Sequence, residues 1–127
     1  MATGISTYLA NAWMDAMGNA TSFSVAVPYI KLHVGDPLGA GTASPAIETT
    51  RKSVSFGAAA AGALANDVAV TWTNIAGSQD ATHFTVWDSL TAGNFLFSGT
   101  ITANAYTAGD TYTIAIGGLT TSLTIAS

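Results

Sequence analysis

The chain has no cysteine. Disulfides, thiolate metal sites and a cysteine nucleophile are therefore excluded, while the redox state of its compartment stays open. Charge is almost as scarce: 8% of the residues are Asp, Glu, Lys or Arg, against about 25% in an ordinary soluble domain. Three basic residues, Lys31, Arg51 and Lys52, stand against seven acidic ones, for a net charge of −4. Nucleic-acid binding needs clustered Lys and Arg to displace counterions from phosphates, so no DNA or RNA partner is expected. Attraction to anionic membranes fails on the same ground. No apolar run approaches the ~20 residues of a membrane span, so no membrane partner is expected either. The N-terminus lacks the basic start and long apolar stretch of a secretory leader, which points to an unprocessed product made in the cytoplasm.

What is there is apolar and hydroxylated. Hydrophobic residues make up 49% of the 127, enough for one independent core, and a single domain over 1–127 is expected. The remaining surface must come from Thr, Ser, Ala, Asn and Gly. A free, concentrated monomer ordinarily keeps more charge than this for solubility. The composition therefore suits a subunit packed against neighbours, in the first place other copies of itself.

One helix is legible over 5–18. Ile5, Leu9, Ala12, Trp13, Ala16 and Met17 fall on one stripe at helical period, Ser6 or Thr7 can cap the start, and Gly18-Asn19 supplies the stop. So short a helix must dock, on its own sheet or on a neighbouring subunit. From Pro28 the period becomes 2. Ile30, Leu32 and Val34 alternate with Tyr29, Lys31 and His33 before the turn at Gly35-Asp36-Pro37. Residues 38–50 lack periodicity and are expected as a long exposed loop. Val54 and Phe56 mark a short strand, and the alanine-rich stretch from Gly57 to Ala63 an irregular connector. Val68, Val70 and Trp72 share one strand face, Phe84 and Val86 another, and Phe95 to Ile101 follows a turn at 91–94. Tyr112, Ile114 and Ile116, then Gly117-Gly118, then Leu119, Thr121, Leu123 and Ile125 predict a two-residue hairpin pairing Ile116 with Leu119. One helix followed only by strands gives a mainly β fold over 28–127, an antiparallel β-sandwich or barrel, and excludes a parallel nucleotide-binding sheet.

Chemistry-bearing groups are few. His33 and His83 lack the third and fourth ligands of a zinc site, so no metal is expected. No Gly-x-Ser-x-Gly elbow accompanies the many serines. Asp36, Asp67, Asp80 and Asp110 lie in turn-like sequence, leaving Glu48 and Asp88 without a turn role and without acid–base spacing. Neither a catalytic residue nor a cofactor is expected. Trp87, His83 and Thr85 share a strand face that must be partly outward or covered. It could form a subunit contact, lie under the helix, or stack on sugar. The expected interface residues are Trp13 on the helix, Leu38 and Ile47 in the long loop, and Trp87 with His83 on that face.

The order of motifs resembles a known family. Tyr29-Ile30-Lys31-Leu32-His33-Val34-Gly35-Asp36-Pro37, Arg51-Lys52-Ser53-Val54-Ser55-Phe56, Thr82-His83-Phe84-Thr85-Val86-Trp87-Asp88 and Ala108-Gly109-Asp110-Thr111-Tyr112 succeed one another as in small virion proteins of tailed bacteriophages, frequent among phages of actinobacteria. That resemblance implies a non-enzymatic structural protein on the outside of the particle. Its first implication is a capsid decoration (cement) protein, a homo-oligomer such as a trimer seated on the major capsid protein. The alternative is a tail-fibre or minor tail protein among tail proteins, binding host-surface glycan through Trp87, His83, and Tyr29 or Tyr106. The recurring residues of the family, here His33, Asp36, Pro37, Phe56, His83, Trp87 and Asp88, are implied to be fold and turn positions.

Overall fold

The computed structural model describes residues 3–126. The chain runs α1 (Thr7–Gly18), β1 (Tyr29–His33), β2 (Lys52–Ser53), β3 (Ala63–Ala65), β4 (Val70–Trp72), β5 (Gln79–Trp87), β6 (Phe95–Tyr106), β7 (Tyr112–Ile114) and β8 (Thr120–Ser122). One antiparallel sheet has the order β2-β1-β5-β6, and two antiparallel ribbons, β3-β8 and β4-β7, complete the strands. Ile30, Leu32, Phe84, Val86 and Phe97 of the sheet share one core with Val70, Trp72, Tyr112, Ile114 and Leu119 of the ribbon side. The fold is thus mainly β, antiparallel and sandwich-like with one helix, and the strands do not close into a barrel.

The helix starts later than its stripe suggests. Ser6 is the N-cap: its hydroxyl accepts from Leu9 N and donates to Phe95 O at 2.6 Å. Gly4 to Ser6 run beside β6, with Ser6 N donating to Leu96 O and Ser98 N to Gly4 O. Ile5 therefore belongs to an extended edge segment rather than to the helix. The stripe buries Leu9 and half-buries Ala12 and Trp13, but Ala16 is exposed and Met17 is 78% exposed. Only the first two turns dock on the chain's own sheet.

The Gly117-Gly118 hairpin does not form. Gly118 N donates to Ala115 O, and Gly117 has φ +82° at the third position of that four-residue turn. This is the positive dihedral at the third position of a type II turn, and the closing bond falls on Ala115 and Gly118, not on Ile116 and Leu119 as the expected primed hairpin requires. The flanking strands separate, β7 to β4 and β8 to β3. Ile116 is 67% exposed while Leu119 is fully buried, so they do not share a face. The primed turn lies instead at Ala60-Ala61-Gly62-Ala63. Ala60 and Ala63 exchange both backbone hydrogen bonds, and φ is +50° at Ala61 and +74° at Gly62. The stretch expected as an irregular connector is a hairpin leading into β3. An L-alanine in the left-handed region is strained, and Asn tolerates it better. Ala61→Asn is accordingly expected to raise stability by about 0.5–1 kcal/mol, measured as the urea midpoint at constant slope.

Smaller corrections have similar causes. Val68 is 56% exposed and precedes β4, because the chain enters that strand from a bend. The strand expected at Val54 and Phe56 is Lys52–Ser53, with Phe56 making one isolated bridge to Asn66. Asp80 is a strand residue of β5 rather than a turn former. Asp36 and Asp110 do cap turns, accepting from Leu38 N and Thr107 N. The 38–50 loop is pinned, not free: Ala43 N bonds Pro37 O, Ala46 N bonds Leu32 O, and Ala46 and Glu48 are buried.

Candidate interaction surface

The outer face of the sheet is organised by a buried polar relay. His33 lies opposite His83 in the β1–β5 ladder, and Thr85 and Trp87 follow on β5. The Ala43 carbonyl can only accept, so His33 Nδ1 carries the proton and donates to it at 2.8 Å. His33 Nε2 then accepts from the Thr85 hydroxyl at 3.0 Å, and that hydroxyl accepts from Trp87 Nε1 at 2.7 Å. Each polar side-chain atom of the chain of bonds is satisfied, and His33, Thr85 and Trp87 are all buried. Burial pushes the His33 pKa below its ordinary value, against the opposing pull of the Ala43 carbonyl. The relay fastens the 38–50 loop to the sheet, which accounts for a histidine and a tryptophan at these motif positions without catalysis.

Trp87 is consequently not a free interface residue. It is 8% exposed, and Arg51 lies over its ring at 4.3 Å. Phe95 packs against it with ring centroids 5.5 Å apart. Arg51 Nη1 donates to the carbonyls of Ser89 and Ala92, clamping the β5–β6 turn. Of the alternatives for this face, Trp87 is covered within the chain, by Arg51 and Phe95 and not by the helix.

His83 is half-buried, with Nδ1 at 2.8 Å from the Thr82 hydroxyl. Ile47 is exposed, its backbone N bonded to Gln79 Oε1. Leu38 is exposed and lines a recess of about 280 Å³ with residues 3–7, Gly39, Phe95 and Ser98. Trp13 lines a different cleft of about 180 Å³, with Ile5, Leu64, Phe97 and Leu123 among its walls. Ile5 borders both hollows, so Trp13 and Leu38 flank the same N-terminal segment. The expected residues therefore do not share one pocket.

The two carboxylates left without a turn role both have one. Asp88 accepts from Asn94 N and Nδ2, closing the β5–β6 turn. Glu48 accepts from Ala76 N and Thr50 N. Burial pushes the Glu48 carboxyl up, but these hydrogen bonds outweigh it and leave the pKa below its ordinary value. Glu48 holds two loops together. Among the described residues no group of three or more His, Cys, Asp or Glu could hold a metal ion.

Asn66 is the residue that periodicity could not single out. It is buried, donates through Nδ2 to Val68 O and Ala115 O, and accepts at Oδ1 from Leu119 N. Its backbone exchanges further bonds with Leu119 and Gly117. A lone Asn in turn-like sequence carries no signal of that role, because all its partners but Val68 are remote in sequence.

With this geometry in view, the family model described as podophage GP4 fiber I protein gp80 matches residues 4–122. The chain belongs to that family. The match runs from the edge segment beside β6 to the last residue of β8. None of the curated proteins matches the chain. Membership in the gp80 family agrees with the phage virion resemblance and favours its fibre alternative. His33 and Trp87 in the relay, and Asp36 and Asp88 in their turns, hold fold positions in this chain.

Proposed function

We propose that this chain is a non-catalytic structural subunit of a fibre on the exterior of a podophage particle, working by association with further copies and with tail proteins. The observation that carries this reading is the fibre-family match across residues 4–122. It takes the place of head decoration, for which the family offers no support. The side chains that could have served catalysis are committed elsewhere: His33 to the relay, Glu48 to two loops, Asp88 to a turn. A surface of hydroxyls and methyl groups can be laid against another subunit without desolvating ions. The undocked end of α1 and the exposed Leu38 and Ile47 are the contacts proposed for a symmetric homo-oligomer such as a trimer.

Antibody labelling of intact particles, followed by electron microscopy, tests the placement. Label is expected at appendages of the tail, in small copy number. Even label over the head would return the chain to decoration and sink the fibre reading.

A further inference from the structure

β6 is the longest strand of the chain at 12 residues and stands last in the order β2-β1-β5-β6, so one of its edges has no strand beside it. The Gly4–Ser6 segment covers part of that edge, through Ser6 N to Leu96 O and Ser98 N to Gly4 O. Among the described residues no backbone hydrogen bond continues on that side from Thr100 to Tyr106. The ladder to β5 is itself interrupted there. It passes from Thr100 opposite His83 to Asn104 opposite Ala81, which leaves Ile101, Thr102 and Ala103 facing Thr82 alone. Thr102 to Ala105 are exposed without a break, so both faces of the strand are open as well as its edge. An open edge presents unpaired N–H and C=O groups to a further strand, and proteins that must stay apart blunt it with charge or proline or turn it away with a bulge. Residues 100–106 carry neither charge nor proline. The irregularity beside β5 leaves Thr102 and Ala103 exposed instead of hidden.

We propose that this edge is a contact between two copies of the chain, β6 lying antiparallel on β6 of the second copy about a two-fold axis. The length of the edge selects the occupant. β1 and β5 have neighbours on both sides, and among the described residues every other strand is two or three residues long. Only a second β6 offers this chain an edge of matching length. Pairing like with like closes both open edges in one isologous contact, with main-chain bonds supplying the adhesion. Centred on Ala103, the pairing sets Ala103 opposite its own counterpart and Thr102 opposite Asn104 of the second copy, where hydroxyl and amide can bond. No like charges meet, because the stretch has none. Beside the edge, a recess of about 330 Å³ between residues 101–104 and 112–115 leaves room for side chains of the arriving strand. The proposal rests on the function proposed above only for the self-association of the chain. It adds a surface other than α1, Leu38 and Ile47, and a two-fold axis.

Sedimentation velocity of the intact chain over a range of concentrations is expected to show a reversible monomer–dimer equilibrium. Thr102→Lys combined with Asn104→Lys sets lysines opposite lysines in that pairing. The double variant is expected to weaken the dimer about tenfold or more, most strongly at low salt. Both positions are exposed, so the thermal midpoint of the dissociated chain should not move. Because the chain has no cysteine, a single introduced one reports the geometry. Ala103→Cys is expected to give a disulfide-linked dimer on mild oxidation. Ser53→Cys, exposed on β2 at the other end of the sheet order, should do so far more slowly. The proposal is overturned if the chain stays monomeric, if the double lysine variant associates like the parent, or if the two cysteine variants crosslink at equal rates. Association lost in Leu38→Ser with Ile47→Ser but kept in the lysine variant would overturn it in favour of the loop contact. Particle labelling at the head would remove the fibre reading while leaving these results as they stand.

Discussion

Asn66→Ala is expected to destabilise the fold by on the order of 3 kcal/mol, one of the largest effects of any polar substitution in the chain. Three side-chain hydrogen bonds disappear, to Val68 O, Ala115 O and from Leu119 N. Leu119 is fully buried, so its N–H loses its partner where water cannot replace it. The carbonyls of Val68 and Ala115 belong to exposed residues and can turn to water, which keeps the cost below that of three buried losses. Asn66→Asp should be no better. It retains the acceptor for Leu119 N, but it replaces both donors with a buried charge. Urea unfolding monitored by tryptophan fluorescence reads both variants. A loss under 1 kcal/mol for Asn66→Ala would show that the type II turn and the β3–β8 pairing hold the β7–β8 connection without the side chain.

Thr85→Val should cost about 2–4 kcal/mol, because an isosteric change orphans two buried groups together: His33 Nε2 and Trp87 Nε1. Thr85→Ser keeps the hydroxyl and should stay within about 1 kcal/mol of the parent. The same relay predicts a pH dependence. The His33 pKa in the folded protein lies below its ordinary 6.5, principally through burial. Between the two values the unfolded chain binds the proton more readily, so stability falls as the pH falls from 6.5 toward the folded value. Protonation also gives Nε2 a hydrogen and sets two donors, His33 and Trp87, on one hydroxyl. His33→Gln should be less stable near neutrality and lose much of the slope in that window. The Glu48 contribution has the same sign but lies lower, being lost as the pH falls from the ordinary 4.5. A parent protein whose urea midpoint did not move between neutral pH and pH 5 would refute the role assigned to His33.

Much of the fold could be read from local pattern. The alternation of Ile30 and Leu32, and of Phe84 and Val86, predicted buried faces that are found at or near zero exposure. The Ser6 cap and the turn at 91–94, with Ala92 and Gly93 both at positive φ, follow from the chemistry of those residues alone. These features depend on neighbours within a few positions, which is what periodicity and turn composition encode. The failed hairpin is instructive for the opposite reason. Gly117-Gly118 permits a primed turn, yet permission does not decide between turn types when Asn66, 53 positions before Leu119, supplies a better partner for the Leu119 N–H.

The interaction face divides in the same way. Scarce charge, a hydroxylated surface and the spacing of His33, Asp36, Trp87 and Asp88 were all present in the sequence. The composition suits a subunit packed against neighbours, and the resemblance carried by those motifs implies a virion protein with fold and turn roles at those positions. Which groups lie free was settled only in three dimensions. Trp87 sits on an alternating strand like any outward aromatic, and nothing near it in the chain announces that Arg51 covers its ring. The open edge of β6 follows from a strand order that no local pattern records. Local sequence determined element type, turn chemistry and the shortage of charge, because those depend on near neighbours. Tertiary structure decided which strand met which edge and which side chain was covered, because burial and hydrogen-bond satisfaction are set by contacts between residues far apart in the chain.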